Sequence, residues 1–152
     1  MRKLLMVVDS TPECLVALRY AARRAQSTGG MVTMLYVIEP GEFEHWVSVR
    51  DVMRQEARAE AEERLLGLAK DIGGSPEFRP EFVIREGKTH EEVLALIGED
   101  ENIRALVLGA SAGGEGPGPL VSELVGHRSS ALHVPIVVVP GCMTDSEIDL
   151  DA

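Results

Sequence analysis

Cysteine is nearly absent: Cys14 and Cys142 are the only two among 152 residues, with no C-x-x-C or metal-type spacing. That excludes a disulfide framework or a cysteine metal knuckle, and two free thiols point to a reducing, cytoplasmic compartment. Basic charge is also short. Fifteen Lys and Arg against twenty-five Asp and Glu leave a formal charge of −10, which repels the phosphates of nucleic acid and of anionic lipid, so neither is expected as a partner. Long apolar runs are missing as well. Leu4-Leu5-Met6-Val7-Val8 follows Arg2 and Lys3 but is too short for the core of a signal peptide and stops at Asp9. Secretion is not expected, and no segment is long enough to span a bilayer.

Common catalytic and phosphate-binding patterns are absent too. Gly87-Lys88-Thr89 supplies the second half of a P-loop, but Phe82 stands where its first glycine belongs. Gly114 and Gly116 begin a dinucleotide fingerprint that fails at Pro119, and the first strand-to-helix turn has no glycine, which excludes a Rossmann dehydrogenase. A response-regulator receiver needs an acidic pair after its first strand and a lysine after its fifth; here Asp9 stands alone and Pro140 ends the last strand. His45, His90, His127 and His133 show no H-E-x-x-H spacing and adjoin no recognisable nucleophile motif, so surface or packing roles are expected for them.

What is present is an alternation. Residues 4–8 are a continuous apolar run, the pattern of a strand buried on both faces of a parallel sheet. Thr11-Pro12-Glu13 reads as N-cap, first-turn proline and first-turn acid of a helix that Gly29-Gly30 stops. Residues 31–37 form a second strand, followed by a loop with Pro40-Gly41 as its turn signal. Met53, Ala57, Ala61, Leu65, Leu68 and Ile72 recur at helical spacing in a long amphipathic helix over about residues 49–72, broken by Gly73-Gly74-Ser75-Pro76.

A third strand is expected over residues 81–84, and Thr89-x-x-Glu92 has the form of a capping box for a helix through Ile97. Residues 103–108 make a fourth strand that runs into a glycine-rich loop, 109–119, before a short helix near 120–132. Residues 135–140 are the last strand. Residues 141–152, with Asp145, Glu147, Asp149 and Asp151, read as an acidic mobile tail outside a single domain over 1–140. Five strands alternating with four helices predict an α/β doubly wound parallel sheet, with ligands beyond the carboxyl ends of its strands, where Asp9 and Gly109 lie.

The strand that ends in Asp9, the long second helix, the glycine-rich loop after strand four and the terminal Val134-Pro135-Ile136-Val137-Val138-Val139-Pro140 together resemble the universal stress protein family over residues 1–140. The resemblance implies strand order 3-2-1-4-5 and a regulatory module of the stress response without efficient chemistry of its own. It also implies that ATP, with Mg²⁺, binds at the carboxyl ends of strands 1 and 4. Asp9 and Val37 would then border adenine and ribose, with Ser10 and Thr11 beside them. The family's phosphate motif, G-x2-G-x9-G-[ST], places Gly109 at the first glycine, Ala112 at the second, and Ser122 and Glu123 at the closing Gly-[ST].

Three of those four positions depart from the motif. A carboxylate at Glu123 repels a triphosphate unless Mg²⁺ intervenes, and Pro117 and Pro119 each remove a backbone donor. Gly113, Gly114, Gly116 and Gly118 keep the loop free to turn N–H groups inward beside Ser111, and Ser122 is placed to offer a hydroxyl. By the same resemblance the edge strand 136–139 pairs with its copy in a two-fold homodimer, its paired length limited by Pro135 and Pro140. Two other readings stand beside the regulatory one: a weak Mg²⁺-dependent nucleotide hydrolase, and a ligand-free dimeric scaffold.

Overall fold

A computed structural model describes residues 1–39, 47–72, 78–113, 116–127 and 132–152. The expected turn at Pro40-Gly41, the breaker at residues 73–76, His45 and Gly114 lie outside the described residues. The elements follow the expected alternation. They are β1 (Lys3–Val8), α1 (Glu13–Thr28), β2 (Met31–Ile38), α2 (Val47–Asp71), β3 (Glu81–Glu86), α3 (Thr89–Glu99), β4 (Ile103–Ala110), α4 (Pro119–Val121), β5 (Ile136–Pro140) and α5 (Asp145–Asp151). The short α4 runs straight into a wider, π-type turn over Ser122–His127. All four strand pairings are parallel, in the order β3-β2-β1-β4-β5, as the family resemblance implies.

The central strand explains the two-layered core. β1 is buried along nearly its whole length, and its side chains alternate between faces with the period of two that a strand imposes. Leu4, Met6 and Val8 join α1 and α2 on one side, while Leu5 and Val7 join α3 and α4 on the other. Helix α1 lies close to the sheet because it turns small residues inward, burying Ala17, Ala21 and Ala25 around Leu18. It ends at Gly29, whose φ of 72° is the left-handed cap that glycine adopts without a Cβ clash.

Three local expectations are corrected. Thr11 is not the N-cap of α1: Pro12 takes that place, with no side-chain cap, because the Thr11 hydroxyl and N–H both turn back to Asp9. The Thr89–Glu92 capping box does not form either. Lys88 is the N-cap of α3, and the Thr89 N–H and hydroxyl donate to Glu39 at 3.2 and 3.1 Å, a tertiary acceptor displacing the local one.

The third correction concerns the acidic tail, which carries a helix. Thr144 and Glu147 form a reciprocal capping box, with Thr144 N–H donating to Glu147 Oε1 at 3.0 Å and Glu147 N–H to Thr144 Oγ1 at 3.3 Å. Ile148 is fully buried, and Asp145 and Asp149 reach Arg19 and Arg23 of α1 at 3.0 and 3.1 Å. Acids one helical turn apart meet arginines one helical turn apart, which composition alone reads as solvation. Among the described residues no helix is long and apolar enough to cross a membrane.

Candidate functional site

Every strand-to-helix turn of a parallel sheet opens at the same, carboxyl end, and there the structure has a cleft of about 980 Å³. β1 contributes Val7, Val8 and then Asp9 and Ser10; β2 contributes Tyr36, Val37, Ile38 and then Glu39. The first half of α2 closes one side with Met53, Glu56, Ala57 and Glu60. Thr89 and His90 begin α3, and Pro119, Leu120 and Glu123 come from the turn after β4.

Four of the ten expected site residues line this cleft: Asp9, Ser10, Val37 and Glu123. Asp9 is held in place from its own loop, since Oδ1 accepts the Thr11 N–H at 2.9 Å and the Thr11 hydroxyl at 2.5 Å, an Asx-type turn. Thr11 therefore stands behind Asp9, not in the cleft wall. Arg64 of α2 donates to the Asp9 carbonyl oxygen at 3.2 Å, tying the helix to that turn without lining the cleft. Glu123 Oε1 stands 3.8 Å from His90 Nε2 across the mouth.

The other expected residues are not brought to the cleft. Gly109, Ser111, Ala112, Gly113 and Ser122 are absent from its wall. The Ser111 N–H donates to the Pro117 carbonyl at 3.0 Å, and the Gly113 N–H donates to Ser111 Oγ at 3.2 Å. The loop thus closes on itself. Gly109 has a packing reason of its own: a Cβ there would stand 2.7 Å from the Glu13 carbonyl oxygen, so glycine is what lets α1 start against the end of β4. Ser122 is exposed, its N–H bonded to Gly118 O within the short helix.

The residues present do not fit the phosphates of a bound ATP. Two N–H groups of the loop are committed internally, Pro117 and Pro119 have none, and Glu123 faces the space. The apolar wall of Val7, Val37, Ile38 and Leu120 suits a flat ring. Cys14, buried beneath Asp9 in α1, has its thiol pushed up to about 11, chiefly by burial, which keeps it protonated and unreactive. Among the described residues no three His, Cys, Asp or Glu side chains converge to hold a metal.

Sequence reasoning missed Glu39, Glu56, Glu60 and His90. Glu56 and Glu60 sit one turn apart beside the apolar stripe of α2 and read as its solvent face. Glu39 and His90 were open to a topological argument, because Glu39 follows the carboxyl end of β2 and His90 lies in the first turn of the helix after β3.

A five-stranded parallel sheet in the order β3-β2-β1-β4-β5, with a cleft beyond its carboxyl ends, defines a doubly wound α/β domain. The sequence profile of the universal stress protein family matches residues 1–140, and the chain belongs to that family. No curated protein matches the chain. Among solved structures it is similar to the universal stress protein UspA from Lactobacillus plantarum, with 19% identity, a TM-score of 0.74, and 91% of this chain and 97% of that one covered. It is similar too to a universal stress protein in complex with cAMP, at 16% identity and a TM-score of 0.60, covering 91% and 96%. A third is the universal stress protein from Archaeoglobus fulgidus in complex with dAMP, at 18% identity and a TM-score of 0.61, covering 91% and 97%.

Proposed function

We propose that this chain is a cytoplasmic regulatory module of the stress response that works by binding an adenine ligand in the cleft beyond β1 and β2, with no efficient chemistry of its own. The observation that carries the reading is the cleft itself, with its apolar wall and Asp9 held at its edge by Thr11. Support comes from relatives of the same fold whose structures contain cAMP and dAMP. Asp9, a carboxylate that only accepts hydrogen bonds, is placed to take hydroxyl or amino protons of the ligand. The test is titration calorimetry with adenine compounds, after mass spectrometry of the purified protein for carried-over ligand. Micromolar binding that Asp9→Ala weakens at least tenfold supports the reading. No heat and no co-purified ligand would favour the ligand-free scaffold.

The same module is read as a two-fold homodimer. β5 is an edge strand, with Val138 39% exposed and Ile136 and Val137 half-buried, and such an apolar edge pairs or aggregates unless covered. Val138→Lys should convert dimer to monomer or leave the protein insoluble; an unchanged dimer in sedimentation would remove β5 from the interface.

A further inference from the structure

The charge of the cleft bears on which adenine compound it takes, and the inference rests on the adenine-binding reading above. Asp9, Glu39, Glu56, Glu60 and Glu123 put five carboxylates in the wall, and no Lys or Arg is among the described lining residues. The one imidazole, His90, stands beside Glu123. A phosphate entering this space meets acceptors and like charge on several sides, a repulsion that salt screens because Glu39, Glu56 and Glu60 are exposed.

Two N–H groups of the loop after β4 and one at the start of α3 are already committed. The loop after β4 spends the Ser111 and Gly113 N–H groups on itself, and Gly109 is filled against by the Glu13 carbonyl. The start of α3 donates from Thr89 to the Glu39 carboxylate, so an anion of the protein's own already stands there. What carboxylates lack is donors, and a nucleoside offers them through its ribose hydroxyls and exocyclic amine. We infer that the cleft takes an adenine nucleoside without phosphate, its base against the apolar wall and its hydroxyls on the carboxylates, and that Glu123 and Glu39 select against phosphorylated forms.

The test is equilibrium binding of adenosine, AMP and ATP to the full chain at matched ionic strength, each with and without Mg²⁺. Adenosine is expected to bind tightest, AMP roughly tenfold more weakly and ATP more weakly still, with gaps that narrow as salt rises. Glu123→Gln should narrow the adenosine-to-AMP ratio by about threefold or more. AMP or ATP binding as tightly as adenosine, with or without Mg²⁺, overturns phosphate exclusion and leaves the adenine reading intact. An unchanged ratio in Glu123→Gln removes that carboxylate as the selector. No binding of any of the three overturns both readings.

Discussion

At the amino ends of the strands Lys3 Nζ reaches Asp100 at 2.7 Å and Glu81 at 3.2 Å, whereas at the carboxyl ends five carboxylates line a cleft with no Lys or Arg in its described wall. At one end of the sheet two acids thus share a lysine, while at the other end acids are collected. The first arrangement ties elements together, since Lys3 of β1 holds β3 and the residue after α3, and Thr33 adds its hydroxyl to Glu81 at 3.1 Å. The second has its own ties, Thr89 on Glu39 and His90 beside Glu123, but gathers more acids in its wall than cations among the described lining residues. α5 follows the first pattern, with Asp145 and Asp149 on Arg19 and Arg23.

The largest expected effect asks whether paired charge or burial holds α5. Asp145 and Asp149 are 72% and 51% exposed, so their pairs contribute little, while Ile148 is fully buried. Ile148→Ala should cost about 2–4 kcal/mol in chemical denaturation, with both ion pairs retained. A loss under about 0.5 kcal/mol would mean that the ion pairs, not packing, seat the helix.

Gly109→Ala comes next and separates packing from ligand binding at the carboxyl ends. With the Glu13 carbonyl 2.7 Å from the new methyl group, a loss of about 1–3 kcal/mol is expected without any ligand present. Unchanged stability would return Gly109 to a purely phosphate-facing role.

Lys3→Met tests the paired end directly. Its side chain is 14% exposed, but Glu81 and Asp100 are 38% and 21% exposed, so the cost should be about 1–2 kcal/mol, below that of a fully buried pair. The pH dependence has a definite sign. Its hydrogen bond with Lys3 holds Asp100 below the usual carboxylate range, so that contribution is present above about pH 4 and is lost as pH falls through the lowered value. The bond to Asp100 raises Lys3 above the usual lysine range, so its share persists to about pH 10 and is lost only above it. Lys3→Met should therefore lose more stability at pH 7 than at pH 3 in parallel thermal melts.

Element order was legible because short apolar runs and helical spacing alternate without ambiguity, as in residues 4–8 against the stripe from Met53 to Ile72. Strand order was not in the local pattern and came through the family resemblance. Asp9, Ser10 and Val37 lie where one rule puts ligands, at the carboxyl ends of strands, whereas Glu123 came from its place in the family's phosphate motif. The loop after β4 was misplaced because glycine content indicates backbone freedom, not where the N–H groups end up; Pro117 O captured one of them. Thr89 shows the same limit from another side. Its local partner Glu92 was legible, but Glu39, fifty positions away, took the bond.

The smallest expected effect tests the cleft end. Glu56 lies one turn before Glu60 on the cleft side of α2, a like-charge pair that disfavours the helix by about 0.2–0.5 kcal/mol. Glu56→Gln removes the repulsion and, since Glu56 is exposed, removes little packing. Stability should stay within about 0.5 kcal/mol of the parent or rise slightly, and any gain should shrink with added salt. Carboxylates at the two ends would then differ in sign: neutralising one at the cleft relieves the fold, whereas Asp100→Asn at the Lys3 cluster weakens it. A loss above about 1 kcal/mol for Glu56→Gln would show that this acid has a stabilising partner and would break the contrast between the ends.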